Sequence, residues 1–102
     1  MDKMIKDGKV AILYSPGFGA GWYTWNSDHP EMVFDKEIVS AILQNYKDKA
    51  LSLAAVKYPE AYLGGLDGLE VMWLDEGSQF EIEEYDGSES VHLIGDKKYL
   101  LA

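Results

Sequence analysis

The hydrophobic pattern changes period once, and that change limits the fold more than any other feature of the chain. Between Asp35 and Tyr58, apolar residues recur at close to helical spacing. Ile38, Ala41, Ile42 and Tyr46 form one set; Leu51, Ala54, Ala55 and Tyr58 form another at i, i+3, i+4 and i+7. The spacing predicts helices over residues 35–46 and 48–58, with Asp35 and Asp48 as N-caps and Pro59 as a stop. From Leu69 onward the period is two. Leu69, Val71 and Trp73 alternate with Glu70, Met72 and Leu74, and Phe80 and Ile82 alternate with Glu81 and Glu83. These segments read as strands.

Ahead of the helices, Val10–Tyr14 is a continuous apolar run bounded by turn residues, the pattern of a buried strand. Residues 1–8 read either as a short edge strand turning at Asp7-Gly8 or as a loose N-terminal arm. Asp28 and Glu31, with Pro30 between them, have capping-box spacing. Gly77 marks a turn, Asp86-Gly87 a hairpin, and Gly95-Asp96 a further turn into Tyr99–Leu101. A two-residue hairpin loop sets Tyr85 opposite Ser88, Glu84 opposite Glu89, Ile82 opposite Val91, Glu81 opposite His92 and Phe80 opposite Leu93. The expected fold is a single α+β domain over residues 1–102, in two layers: strand, loop and two helices, then an antiparallel β-meander. A chain of 102 residues buries enough surface to fold without disulfides or metal.

Charge narrows the partners. The chain has no cysteine and no arginine; its nine basic residues are all lysine. Residues 1–50 carry six lysines and seven acids; residues 51–102 carry three lysines and eleven acids. Direct nucleic-acid binding is disfavoured, because phosphate needs cations. The natural complement of the acidic half is a basic protein. No apolar run approaches a membrane span, and Met1–Lys6 lacks the apolar core of a secretion signal, so a cytoplasmic protein without membrane contact is expected.

Two stretches are candidate sites. Ser15–Trp25 holds three glycines, a proline and four aromatics within eleven residues. Its Gly17-x-Gly19-x-Gly21 spacing falls short of a dinucleotide or P-loop fingerprint. A looser reading survives, in which Gly17, Gly19 and Gly21 amides meet an anion while Trp22, Tyr23 or Trp25 stacks on a planar, nucleotide-like ligand. Of the two tryptophans, Trp25 is expected in the core and Trp22, with the Gly19 and Gly21 amides, at the border of the ligand. The rival reading makes the tryptophans core filler and the glycines turn formers. The second stretch runs from Asp75 to Glu89, with Glu76, Glu81, Glu83, Glu84 and Asp86 between and no lysine. It reads as a surface for a basic partner, or as a solvated face that guards a sheet edge. Its spacing does not fit a calcium loop, and His29 and His92 belong to no zinc or triad pattern. No metal, cofactor or catalytic residue is expected.

Gly17–Asn26, Gly77–Glu89 and Tyr62–Gly65 together resemble small uncharacterised proteins of tailed bacteriophages and prophages, over about residues 9–94. The resemblance implies a phage origin, the cytoplasm of a bacterial host, and a role against host defences; it assigns chemistry to no residue. The expectation is a non-enzymatic binding protein. Capture of a small ligand at the glycine-aromatic loop leads. An acidic inhibitor of a basic host protein is the alternative, and an oligomeric assembly protein the third reading.

Overall fold

The strand Lys9–Tyr14 (β2) lies between two cores. The computed structural model describes residues 2–94 and 100–102. Val10, Ala11, Ile12 and Leu13 are all fully buried, which the alternation of a strand allows only when both faces are covered. Ala11 and Leu13 enter one core with Trp22, Met32, Ile38 and Val39; Val10 and Ile12 enter a second with Val33, Phe34, Leu74 and Phe80. Each buried valine, leucine, isoleucine, methionine or phenylalanine among them contributes about 1.5–3 kcal/mol by leaving water.

The remaining elements follow from that strand. Ile5–Lys6 (β1) pairs antiparallel with β2 through an Asp7-Gly8 turn whose two φ angles are 54° and 76°, the left-handed pair that a tight hairpin needs. The N-terminal residues thus take the edge-strand alternative. Lys3 reinforces it, donating to the Leu101 carbonyl at 2.8 Å and lying 4.4 Å above the Phe34 ring. Helices α1 (Lys36–Leu43) and α2 (Lys47–Lys57) pack on each other beside the first core. Glu70–Asp75 (β3) pairs with β2 along its whole length. Gln79–Tyr85 (β4) pairs with Ser88–Leu93 (β5) on one side and Leu100–Leu101 (β6) on the other. The class is α+β, as expected. The later strands are divided, however: β3 joins the sheet β1-β2-β3, and β5-β4-β6 form a second sheet. Two-sided burial of β2 requires that division, because helices cover one face and the second sheet the other. The Gly95-Asp96 turn lies outside the described residues.

Three local expectations are corrected. α1 ends at Leu43, short of residue 46, because Asn45 turns left-handed at φ 61° and Tyr46 N–H returns to the Ala41 carbonyl. The Asp28–Glu31 spacing does not make a capping box; Pro30–Val33 is a 3-10 turn after His29 without a side-chain cap. α2 begins at Lys47, so Asp48 lies in its first turn, and its inward stripe is Ala50, Leu53 and Ala54 rather than Leu51 and Ala55. Leu51 is 46% exposed. Both stripes satisfy the helical period. The structure selects the one whose alanines let α2 approach the neighbouring core closely.

Candidate functional site

Glu89 is the second residue of β5 and is only 2% exposed. It pairs with Glu84 across the hairpin, on the same face as Ile82 and Phe80. A buried carboxylate needs donors, and the glycine-aromatic loop supplies five. One oxygen accepts from Ser15 N–H at 2.9 Å and, at 3.2 Å, from the Ser15 hydroxyl, whose one proton is shared with the Ala20 carbonyl at 3.1 Å. The other accepts from Tyr23 N–H at 2.9 Å, Thr24 N–H at 2.8 Å and Thr24 Oγ1 at 2.8 Å. The loop is therefore wound around one side chain. Ser15 Oγ also accepts from Trp22 N–H at 2.9 Å. Main-chain bonds add to the clamp: Glu89 N–H donates to Ser15 carbonyl at 2.8 Å and Gly19 N–H to Asp86 carbonyl at 2.9 Å.

Crowding explains three glycines, by backbone at Gly65 and Gly87 and by side chains at Gly21. A Cβ on Gly65 would lie 2.9 Å from the Ala20 carbonyl oxygen, and one on Gly87 would lie 2.5 Å from Ala20 N. A Cβ on Gly21 would overlap Thr24 Oγ1. The loop is thus gripped between the β4–β5 turn and the 3-10 turn Gly64–Gly68. Asn26 completes the grip, donating to the Trp22 and Tyr62 carbonyls and accepting from Tyr62 N–H, each at 2.8 Å.

The expected ligand residues are separated by this geometry. Trp22 is fully buried and its indole donates to the Met32 carbonyl at 2.7 Å. Trp25 is 45% exposed, its ring 5.4 Å from that of Tyr62 and its indole 3.4 Å from Glu84. The expected burial of the two tryptophans is reversed. Flexibility at Gly21 does not turn Trp22 outward, because Ser15 and Gly65 hold its backbone against the core. Tyr23 is half-buried and packs against both cores. Gly19 is exposed at φ 122°, which favours glycine. Gly17 lines a hollow of about 280 Å³ shared with Phe18, Gly64, Asp67 and Gly68.

The acidic residues also divide. The expected hairpin register holds at every pair, Ile82 with Val91 and Phe80 with Leu93 included. Glu83, Glu84 and Asp86 are exposed and Glu81 is half-buried, whereas Glu89 points inward and offers no surface. Around the turn stand large exposed aromatics: Phe18 at 77%, Tyr85 at 74% and Tyr62 at 55%, besides Trp25. Three sequence segments therefore meet at one place. Sequence reasoning missed Glu89, Ser15 and Asn26 as its anchors. The signal was present, since the register puts position 89 on the core side, where a carboxylate requires donors.

Two other polar groupings have different chemistry. Ser90 Oγ lies 3.0 Å from His92 Nε2, and Glu83 lies 4.0 Å from the same nitrogen. A hydrolytic triad needs serine and carboxylate on opposite ring nitrogens, so this trio does not form one. Asp35 caps α1 by accepting from Ile38 N–H at 3.0 Å, and also accepts from Tyr58 hydroxyl at 2.6 Å and Lys57 at 3.2 Å. Burial, then the bond to Asp35, pushes the Tyr58 hydroxyl well above its ordinary range. Burial lowers Lys57, but its bonds to Glu37 and Asp35 outweigh that and raise it.

Among the described residues no helix is long and apolar enough to cross a membrane. Comparison with protein-family models, with characterised proteins and with solved structures finds no match.

Proposed function

We propose that this is a non-catalytic binding protein whose contact surface is the acidic, aromatic rim around the β4–β5 turn, and whose partner is a basic protein. One observation carries the reading: exposed Phe18 and Trp25, on the loop held by the buried Glu89, lie at the turn that bears exposed Glu83, Glu84, Tyr85 and Asp86, with exposed Tyr62 beside the Trp25 ring. Aromatic residues are enriched at protein interfaces. Rigid mounting lowers the entropy lost on binding. The net charge of −9 steers a cationic partner toward this surface. The likeness to small phage proteins supplies a setting, a host protein whose basic surface is blocked. The ligand-capture reading is weaker, since Trp22 and Gly21 are enclosed.

The test is titration with a lysine- and arginine-rich peptide at several salt concentrations. Binding is expected to weaken with salt, to fall in the double variant Glu83→Gln/Asp86→Asn at unchanged melting temperature, and to fall in Trp25→Ala. Binding that is equally strong in all three proteins overturns the proposal.

A further inference from the structure

Gly17 and Gly68 have no local reason to be glycine. Neither has a positive φ, and a Cβ on either would meet no atom within 4 Å. They differ in this from Gly21, Gly65 and Gly87, which backbone or side-chain crowding demands. What the two share is the hollow between the turn after β2 and the 3-10 turn Gly64–Gly68, which both line. Absent side chains at two positions of one cavity keep its space open for something else.

The walls define the occupant. Phe18 presents an exposed ring, and Asp67 an exposed carboxylate with no partner among the described residues, its carbonyl alone being held by Lys47 at 2.6 Å. The volume of about 280 Å³ lies just below the roughly 300–1,000 Å³ of drug-sized ligand pockets, which suits a single side chain. We propose that the hollow receives the guanidinium group of an arginine from the basic partner. Its flat face stacks on Phe18 and its N–H groups donate to Asp67. Guanidinium is planar and weakly hydrated, so it stacks on a ring more readily than a compact ammonium does. This chain contains no arginine, so a second copy cannot fill the hollow in this way. The inference rests on the acidic-rim reading above and names the group recognised there.

The test compares oligo-arginine and oligo-lysine peptides of equal length and charge, with adenosine as a third probe. The arginine peptide is expected to bind about two- to fivefold more tightly, the scale of an exposed cation–π contact. Gly17→Ala and Gly68→Ala should each abolish that preference while melting at the same temperature or slightly higher, because alanine at an unstrained position stiffens the unfolded chain. Phe18→Leu should do the same without filling the space. Retention of the preference in all three variants overturns the hollow as the arginine site and leaves the acidic-rim reading standing. Failure of both peptides to bind overturns both. Adenosine binding that disappears in the same variants, with peptide binding unchanged, assigns the hollow to a small planar ligand and overturns the proposal.

Discussion

Asp35 and Glu89 are both buried carboxylates, yet the two regions satisfy them differently. Asp35 accepts from a helix N-terminus, a tyrosine hydroxyl and the cation Lys57, which also binds Glu37. Among the described residues, Glu89 accepts only from backbone amides and hydroxyls of one loop. The first joins elements that would form in any case, since helices carry their own periodic signal. The second creates a conformation that nothing else specifies. A loop rich in glycine has high chain entropy, about 1–2 kcal/mol per residue to order. Concentrating five donors on one acceptor is how this loop offsets that cost.

The comparison makes its largest prediction at Glu89. Glu89→Ala leaves the amides of Ser15, Tyr23 and Thr24 without their acceptor and should cost about 3–5 kcal/mol, the scale for breaking a buried charged network. Asp35→Ala removes a cap and leaves the Tyr58 hydroxyl without its acceptor, and should cost about 2–3 kcal/mol, since Lys57 remains partly solvated with Glu37. Urea unfolding of both variants measures the difference. Equal losses would erase the distinction between a carboxylate that organises a loop and one that caps a helix.

A second contrast appears at alkaline pH. Tyr58 has its folded pKa raised above the ordinary 10.0. The stabilisation from its neutral form is complete below pH 10 and is lost as pH rises toward the folded value, because the unfolded chain releases its proton first. Lys57, raised above 10.5, acts with the same sign. Stability should therefore decline from about pH 10 upward. Tyr58→Phe should start lower, having lost the bond to Asp35, and decline less steeply. An unchanged alkaline slope in that variant would detach Tyr58 from the pH dependence.

These two regions also differ in how readable they are from sequence. Asp35 stands just before a helical stripe and its capping role follows from position alone. The hairpin register likewise follows from Asp86-Gly87, because a two-residue turn fixes every pair behind it. Glu89 lies in a run of acids, and composition alone gives it the same meaning as Glu83. The register sets the two on opposite faces, but the donors that hold Glu89 come from distant sequence, Ser15 being 74 positions away. The tryptophans fail for the same reason: Trp22 and Trp25 have similar local surroundings, and contacts with Ser15, Gly65 and Met32 decide which is enclosed. The rotation of α2 was ambiguous on different grounds. Two stripes one residue apart both fit the period, and long-range bonds from Lys47 and Lys57 select between them.

The smallest predicted effect tests the exposed half of the cross-strand pair. Glu84 and Glu89 are directly opposed, an arrangement expected to repel. On charge alone, replacing both with glutamine would stabilise the hairpin. The contacts argue the reverse for Glu89, whose amide replacement would turn a donor toward donors. Glu84 is a milder case. It accepts from Gly87 N–H at 2.8 Å and stands 3.4 Å from the Trp25 indole, in an exposed setting. Glu84→Gln keeps an oxygen for Gly87 and removes one like charge from beside Glu89. The two effects oppose each other, so stability should change by less than about 0.5 kcal/mol, the range for surface substitutions. The double variant should be as unstable as Glu89→Gln alone. Thermal unfolding of the three variants reads this directly. A double variant more stable than wild type would mean that repulsion between the two carboxylates outweighs the five donors, and that Glu89 is not the anchor of the loop.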